Sequence, residues 1–247
     1  MGIFISHSTQ RSGFVVNGIS KFGVLVSLAM IRYDRPPLAA KTGNVWTSVR
    51  DGAQYTWSLK PLRYLLPMLA VMSFCITPYQ ALMPIFAAEI FAGGASMLGF
   101  LVGAAGLGGL IAVAYLAARP RIQGLMRWAA IGPGLSGVAL VAFTFSRNLW
   151  LSLACMLVVG FGVLTTAMVI NTIIQTVCDT DKRGRVTSFY IVCFMGMHPL
   201  GCLAAGSLAS GIGAPYALAI FGMAAALGAG WLLTQMPLLG AYIRPLY

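Results

Sequence analysis

The sequence predicts an all-α polytopic membrane helix bundle of about seven transmembrane helices, and three observations carry that expectation. Of the 247 residues, 59% are hydrophobic and only 9% are Asp, Glu, Lys or Arg, whereas a soluble domain is about 45–50% apolar and about 25% charged. Mean hydropathy is +0.85, more apolar surface than a globule in water could hide. Charged residues are absent from 64–88, 90–118, 128–146, 148–178 and 186–243, and a helical span needs about 20 residues. The same figures exclude intrinsic disorder and a disulfide-stapled secreted domain. The ten-residue alternation of an outer-membrane barrel is missing.

Taken in order, the spans fall at about 64–88, 95–118, 125–146, 149–176, 187–210 and 214–235, the last long run being broken near Gly211-Ile-Gly-Ala-Pro215. A further span at 13–31 contains Lys21 and is followed by no Ala-x-Ala-like cleavage site, so it reads as a retained helix rather than a signal peptide. The expected organisation is an external tail at 1–12, the span at 13–31, a cytoplasmic linker at 32–63, a six-helix bundle at 64–236 and a cytoplasmic tail at 237–247.

The net charge of +11 would point to nucleic acid in a soluble protein. Here the cations cluster at span ends. With the 32–63 linker inside, thirteen of the sixteen Lys and Arg fall on the inner side, the bias that orients membrane proteins. The expected setting is therefore a bacterial inner membrane with the N-terminus outside and the C-terminus cytoplasmic. The partner expected from charge and hydropathy is the lipid bilayer, with no nucleic acid; a small-molecule substrate is what the resemblance given below implies.

Small residues four apart allow helices to approach closely in lipid. Gly99 with Gly103, Ala104 with Gly108, Gly201 with Ala205, and Gly222, Ala226 and Gly230 form such ridges. Pro67, Pro78, Pro84, Pro133 and Pro199 lie inside spans, where each removes a donor and can bend its helix. Bent or broken helices line cavities in transporters, although neighbouring groups can also satisfy an isolated proline.

Few polar residues lie at membrane depth. Asn17 and Lys21 share a helical face, Tyr79 and Gln80 follow Pro78, and Asn171 and Gln175 are four apart. Each pair is a candidate either for substrate binding or for hydrogen bonds between helices. His198, in Gly196-Met-His-Pro-Leu-Gly201, is a candidate proton relay or a histidine bonded to a neighbouring helix. Glu89, at an outer span end, is a second candidate for proton coupling. Cys75, Cys155, Cys178, Cys193 and Cys202 lack metal-site spacing and read as packing residues. No paired-carboxylate, Ser/His/Asp, HExxH or P-loop arrangement is present, so neither an enzyme nor a cofactor is expected.

Asp179-Thr-Asp-Lys-Arg-Gly-Arg-Val186 is the densest charge cluster and lies between two spans. It reads as a loop in which Gly184 permits a left-handed turn. Arg183 and Arg185 there can donate to helix carbonyls or to acids on a neighbouring bundle.

Arg183-Gly-Arg-Val-Thr-Ser-Phe-Tyr190, Phe194-Met-Gly-Met-His-Pro-Leu-Gly201 and Gly213-Ala-Pro215 resemble the major facilitator superfamily. The closer likeness is to its branch of enterobactin-exporter-like and transmembrane secretion effector permeases. Leu82-Met-Pro-Ile-Phe86, Gly99 to Gly109, Val159-Gly-Phe-Gly162 and Phe14-Val-Val-Asn-Gly-Ile-Ser20 extend the resemblance over about 14–236. It implies span six plus the C-terminal half of a twelve-span fold. It also implies a proton-driven exporter of small molecules, siderophore-like or drug-like, gated at Asp181, Arg183, Gly184 and Arg185. A missing N-terminal half or a second copy would complete the pathway; a truncated remnant or a membrane assembly partner that does not transport is the alternative. His198 and Lys21 depart from the family pattern.

Overall fold

A computed structural model describes residues 18–28, 30, 45–119 and 125–243. Among them every regular element is helical. Helix α1, Gly18–Leu28, is apolar but shorter than a membrane span, and it falls in a first unit, Met1–Gly43. The second unit, Asn44–Tyr247, holds α2 (Val45–Ser58), α3 (Lys60–Cys75), α4 (Tyr79–Ile85), α5 (Gly94–Ala117), α6 (Leu125–Phe145), α7 (Leu149–Val177), α8 (Thr180–Ile191), α9 (Met197–Ile212) and α10 (Ala214–Ile243). Two π-helical segments interrupt the ladder, at Phe86–Ile90 after α4 and at Val192–Gly196 between α8 and α9.

Six stretches are long and apolar enough to cross a membrane: Pro61–Ile90, Gly94–Ala117, Met126–Phe145, Leu149–Val177, Thr180–Ile212 and Ala214–Gln235. They coincide with the six spans expected between 64 and 235. The 13–31 span is described only as α1 and residue 30. The expected break near 211–215 falls at Gly213, whose φ of 90° separates α9 from α10; that backbone conformation disfavours any residue with a Cβ. Residues 237–243 continue α10 as helix. One expectation is corrected. The 179–186 segment is not a loop, because α8 starts at Thr180 and Gly184 lies within it, absent from the glycines with positive φ.

The bundle is assembled around α7, which packs along α5 and α6, while α6 packs along α10. Glycine permits each approach. A Cβ at Gly108 would overlap the Leu157 carbonyl and one at Gly160 the Ala105 carbonyl, so α5 and α7 cross backbone to backbone. Gly132 and Gly162 do the same for α6 and α7, and Gly137 and Gly222 for α6 and α10. Ser136 Oγ donates to the Val159 carbonyl at 3.1 Å across the α6–α7 contact. Of the expected ridges, Gly108, Gly201, Ala205 and Gly222 are buried, whereas Gly99, Gly103 and Gly230 have open space where a Cβ would stand. The core beneath is aliphatic and aromatic, with Leu65, Leu69, Met72, Phe86, Phe143, Met156 and Ile170 almost wholly enclosed.

Two substitutions test this description. Gly108→Leu should destabilise the bundle by more than about 3 kcal/mol, because the obstruction is backbone and cannot turn aside as an overpacked side chain does; unfolding in mixed micelles measures it. Gly184→Ala should stabilise by about 0.4–1 kcal/mol, since a helical site with open space accepts the methyl and the unfolded chain loses freedom. A left-handed turn at 184 would reverse that sign.

Candidate functional site: a helix break at membrane depth and a linker clamp at the span ends

The first span is not continuous. Pro78 has no N–H to offer the Phe74 carbonyl, and α3 ends at Cys75 in a turn at Ile76–Pro78 before α4 begins. Bonds of the i→i+3 type bridge the break: Tyr79 N–H to the Ile76 carbonyl at 3.1 Å and Gln80 N–H to that of Thr77 at 3.2 Å. The Thr77 hydroxyl donates to the Ser73 carbonyl. The π segment at Phe86–Ile90 follows Pro84, and the one at Val192–Gly196 precedes Pro199.

These irregularities meet. The Ser73 hydroxyl donates to the carbonyl of Phe194 within the second π segment. A Cβ added at Gly201 would run into the Phe74 carbonyl and the Pro78 ring. The broken first span thus packs directly on the bulged fifth, and Gly201 is the residue that lets it.

A second cluster lies where α3 begins and α7 ends. The linker carries α2, and α2 packs against α8. Tyr55 Oη donates to Asp179 Oδ2 at 3.0 Å and accepts from the Asp179 N–H at 3.3 Å. Asp179 occupies the N-cap of α8 but makes no side-chain cap, because its carboxylate is engaged by Tyr55. Its main-chain carbonyl instead receives the N–H groups of Lys182 and Arg183 at 3.0 and 2.9 Å. Partial burial pushes the Tyr55 phenol above its ordinary value, and the adjacent Asp179 carboxylate adds to this. The Lys182 ammonium stands 4.3 Å over the Tyr55 ring. Gly52 lies against Phe189 and the stem of Arg185, at 3.2 and 3.3 Å from where a Cβ would be.

The residues expected from the sequence distribute as follows. Arg185 is brought against α2, Arg183 is half-buried with its Nε enclosed, and Asp181 is exposed in the first turn of α8. Tyr79 is buried at the start of α4, with Gln80 Nε2 at 3.5 Å from its Oη, the limit of a hydrogen bond. Asn171 is half-buried and Gln175 exposed on α7, and Glu89 is exposed in the first π segment. Among the described residues His198 is not bonded to a neighbouring helix; its Nε2 lies 3.5 Å from Cys202 Sγ, one turn along α9. Lys21 is exposed on α1, and Asn17 lies outside the described residues. Apart from the neighbours Tyr79 and Gln80, no two of the expected depth residues are hydrogen-bonded to each other among the described residues.

Sequence reasoning passed over Tyr55, Asp179 as a clamp, Ser73 and Gly52. Asp179 before Thr180 is an N-cap signal that would have placed the helix start. The others have no local signature.

Among the described residues no three His, Cys, Asp or Glu side chains converge as a metal site would require. No curated protein matches the sequence. The family model described as transmembrane secretion effector matches residues 1–241, almost the whole chain, and agrees with the all-helical fold and its six span-length apolar helices. The chain therefore belongs to the transmembrane secretion effector family of the major facilitator superfamily, a family of membrane transporters.

Proposed function

We propose that this chain acts in a secondary active transporter that exports a small molecule, siderophore-like or drug-like, by coupling to the proton gradient across a bacterial inner membrane. The observation that carries the reading is the junction of two discontinuous spans, in which Ser73 on the broken first span donates to Phe194 in the π segment of the fifth. Irregular backbone at membrane depth is tolerated where protein or a cavity covers it, and rocking transporters place such helices at their pathway. His198 and Glu89 are the proton-coupling candidates. The α2–α8 clamp stands on the cytoplasmic side in this reading, with Asp181, Arg183, Gly184 and Arg185 forming the face that a partner bundle closes against.

One observation bears on how a pathway would be enclosed. Gly94–Ala117 and Thr180–Ile212 have only 28% and 11% of their apolar windows buried, against 67% for Pro61–Ile90. Two faces of the bundle are therefore open to a second bundle, either another copy or a separate N-terminal half. The same openness suits a membrane assembly partner that does not itself transport.

Inverted membrane vesicles carrying the protein and a pH-reporting dye test transport, with candidate amphiphilic cations and siderophores as substrates. Substrate-dependent proton release is expected, and Arg183→Ala with Arg185→Ala should lower it by about tenfold, the scale of losing one charge-assisted contact. Unchanged rates at normal membrane levels would reject the gating role. For the enclosure, cysteines introduced at Gly103 and Gly206, both with open space around them, should give a crosslinked product of twice the mass or of a heterodimer. A product at monomer mass alone, together with no proton release, would leave the non-transporting reading standing.

A further inference from the structure

A cleft of about 450 Å³ opens between α2 and the first turns of α8, lined by Gly52, Gln54, Tyr55, Ser58, Lys182 and Arg185. Its two walls differ in chemistry. Gln54 and Ser58 are four apart and share a face of α2, while Lys182 and Arg185 are three apart and share a face of α8. Among the described residues the α2 wall is neutral and polar, the α8 wall is doubly cationic, and no carboxylate lines the space. Of the acids at the start of α8, Asp179 is held by Tyr55.

Both cations are placed by α2. Lys182 rests over the Tyr55 ring at 4.3 Å, and the absence of a side chain at Gly52 lets the stem of Arg185 lie against the α2 backbone. Ser58 Oγ donates to the Tyr55 carbonyl at 2.7 Å, so the Gln54 amide is the neutral donor left facing a ligand.

The cleft also sits at a defined depth. The flanking charge-free runs begin at Tyr64, end at Cys178 and resume at Val186, so the cleft lies beside the ends of three apolar runs, the level at which headgroups stand in a bilayer. Trp57, beside Ser58, is 57% exposed with the Arg63 guanidinium 6.0 Å from its ring. An exposed tryptophan flanked by a cation at a span end is the side-chain pattern of the membrane interface.

We propose that this cleft is a phosphate-binding site, with Lys182 and Arg185 pairing with the phosphate oxygens and Gln54 donating to a third. Arg and Lys together supply the fork and the point charge that phosphate groups take. The depth of the cleft points to the phosphodiester of an anionic phospholipid; soluble phosphate offers the same chemistry from the aqueous side. This inference does not depend on transport.

The test uses the full purified chain in neutral detergent. Native mass spectrometry with phosphatidylglycerol, phosphatidylcholine or sodium phosphate added in turn measures what is retained. Wild type should keep one phosphatidylglycerol in preference to phosphatidylcholine, and Lys182→Gln with Arg185→Gln should weaken that retention by at least about tenfold. Arg147→Gln, at the opposite end of α7, should leave it unchanged and so separates the site from annular lipid. Gln54→Ala spares both cations and the Tyr55–Asp179 clamp and should weaken retention severalfold; it is decisive if the double variant does not fold. Displacement of the lipid by millimolar phosphate, with phosphate raising the melting temperature of wild type but not of the variants, would uphold the site with soluble phosphate as ligand. Equal retention of the two lipids without a phosphate effect, or retention indifferent to Gln54→Ala and to a folded double variant, would overturn it.

Discussion

The bundle depends on backbone meeting backbone at α7. Lipid tails are as apolar as the side chains they would surround, so burial gives little net drive for one span to choose another; close packing and interhelical hydrogen bonds must do so. The reciprocal pairs Gly108 with Gly160 and Gly132 with Gly162 bring α5 and α6 onto α7 at carbonyl contact, and Gly137 with Gly222 carries α10 by the same means. The remaining spans are arranged around this scaffold. The broken first span packs on α10, α9 and α7, and the fifth is held chiefly through its contacts with the first and with α10.

That division separates a rigid part from an irregular one. The helices tied together by glycine crossings are regular along their length. Among the described residues, the turn at Ile76–Pro78 and both π segments fall on the first and fifth spans. Their mutual contact covers the interrupted backbone with protein, Ser73 donating to the Phe194 carbonyl and Gly201 lying against Pro78, and such cover is what makes interrupted backbone bearable in a bilayer. At the other level, α2 fastens the start of the fifth span to the linker through Tyr55 and Asp179. The fifth span is thus held near its middle by the first span and at its end by the linker.

Much of this was legible in the sequence, and the residues show why. Hydropathy is a summed property of twenty residues, so the six spans and the break at Gly213 could be read directly. Helix pairing is not summed: Gly99 with Gly103 has the same spacing as Ala104 with Gly108, yet only the second meets another backbone, because the crossing point is set by three-dimensional geometry. The start of α8 was misread because five charges and a glycine in eight residues carry weak helix propensity. The helix stands there because Asp179 begins it and α2 covers it, a tertiary override. His198 illustrates the converse case, a polar residue at depth that was expected to seek another helix and finds Cys202 on its own. The Tyr55–Asp179 clamp joins residues 124 positions apart and has no signature that a local pattern could expose.

The π segment at Val192–Gly196 has a mechanical meaning beyond the hydrogen bonds it rearranges. A π turn amounts to one residue inserted into an α-helix. Were that residue absorbed or passed along the chain, everything beyond it would rotate by about 100° and advance by about 1.5 Å. For α9 this is a screw motion with a built-in step, and Gly201, which faces Phe74 and Pro78, would be turned out of that contact. Its neighbours Leu200 and Cys202 carry a Cβ where the Phe74 carbonyl leaves room for none, so the present setting of the screw is the one that lets the fifth span lie closest to the first.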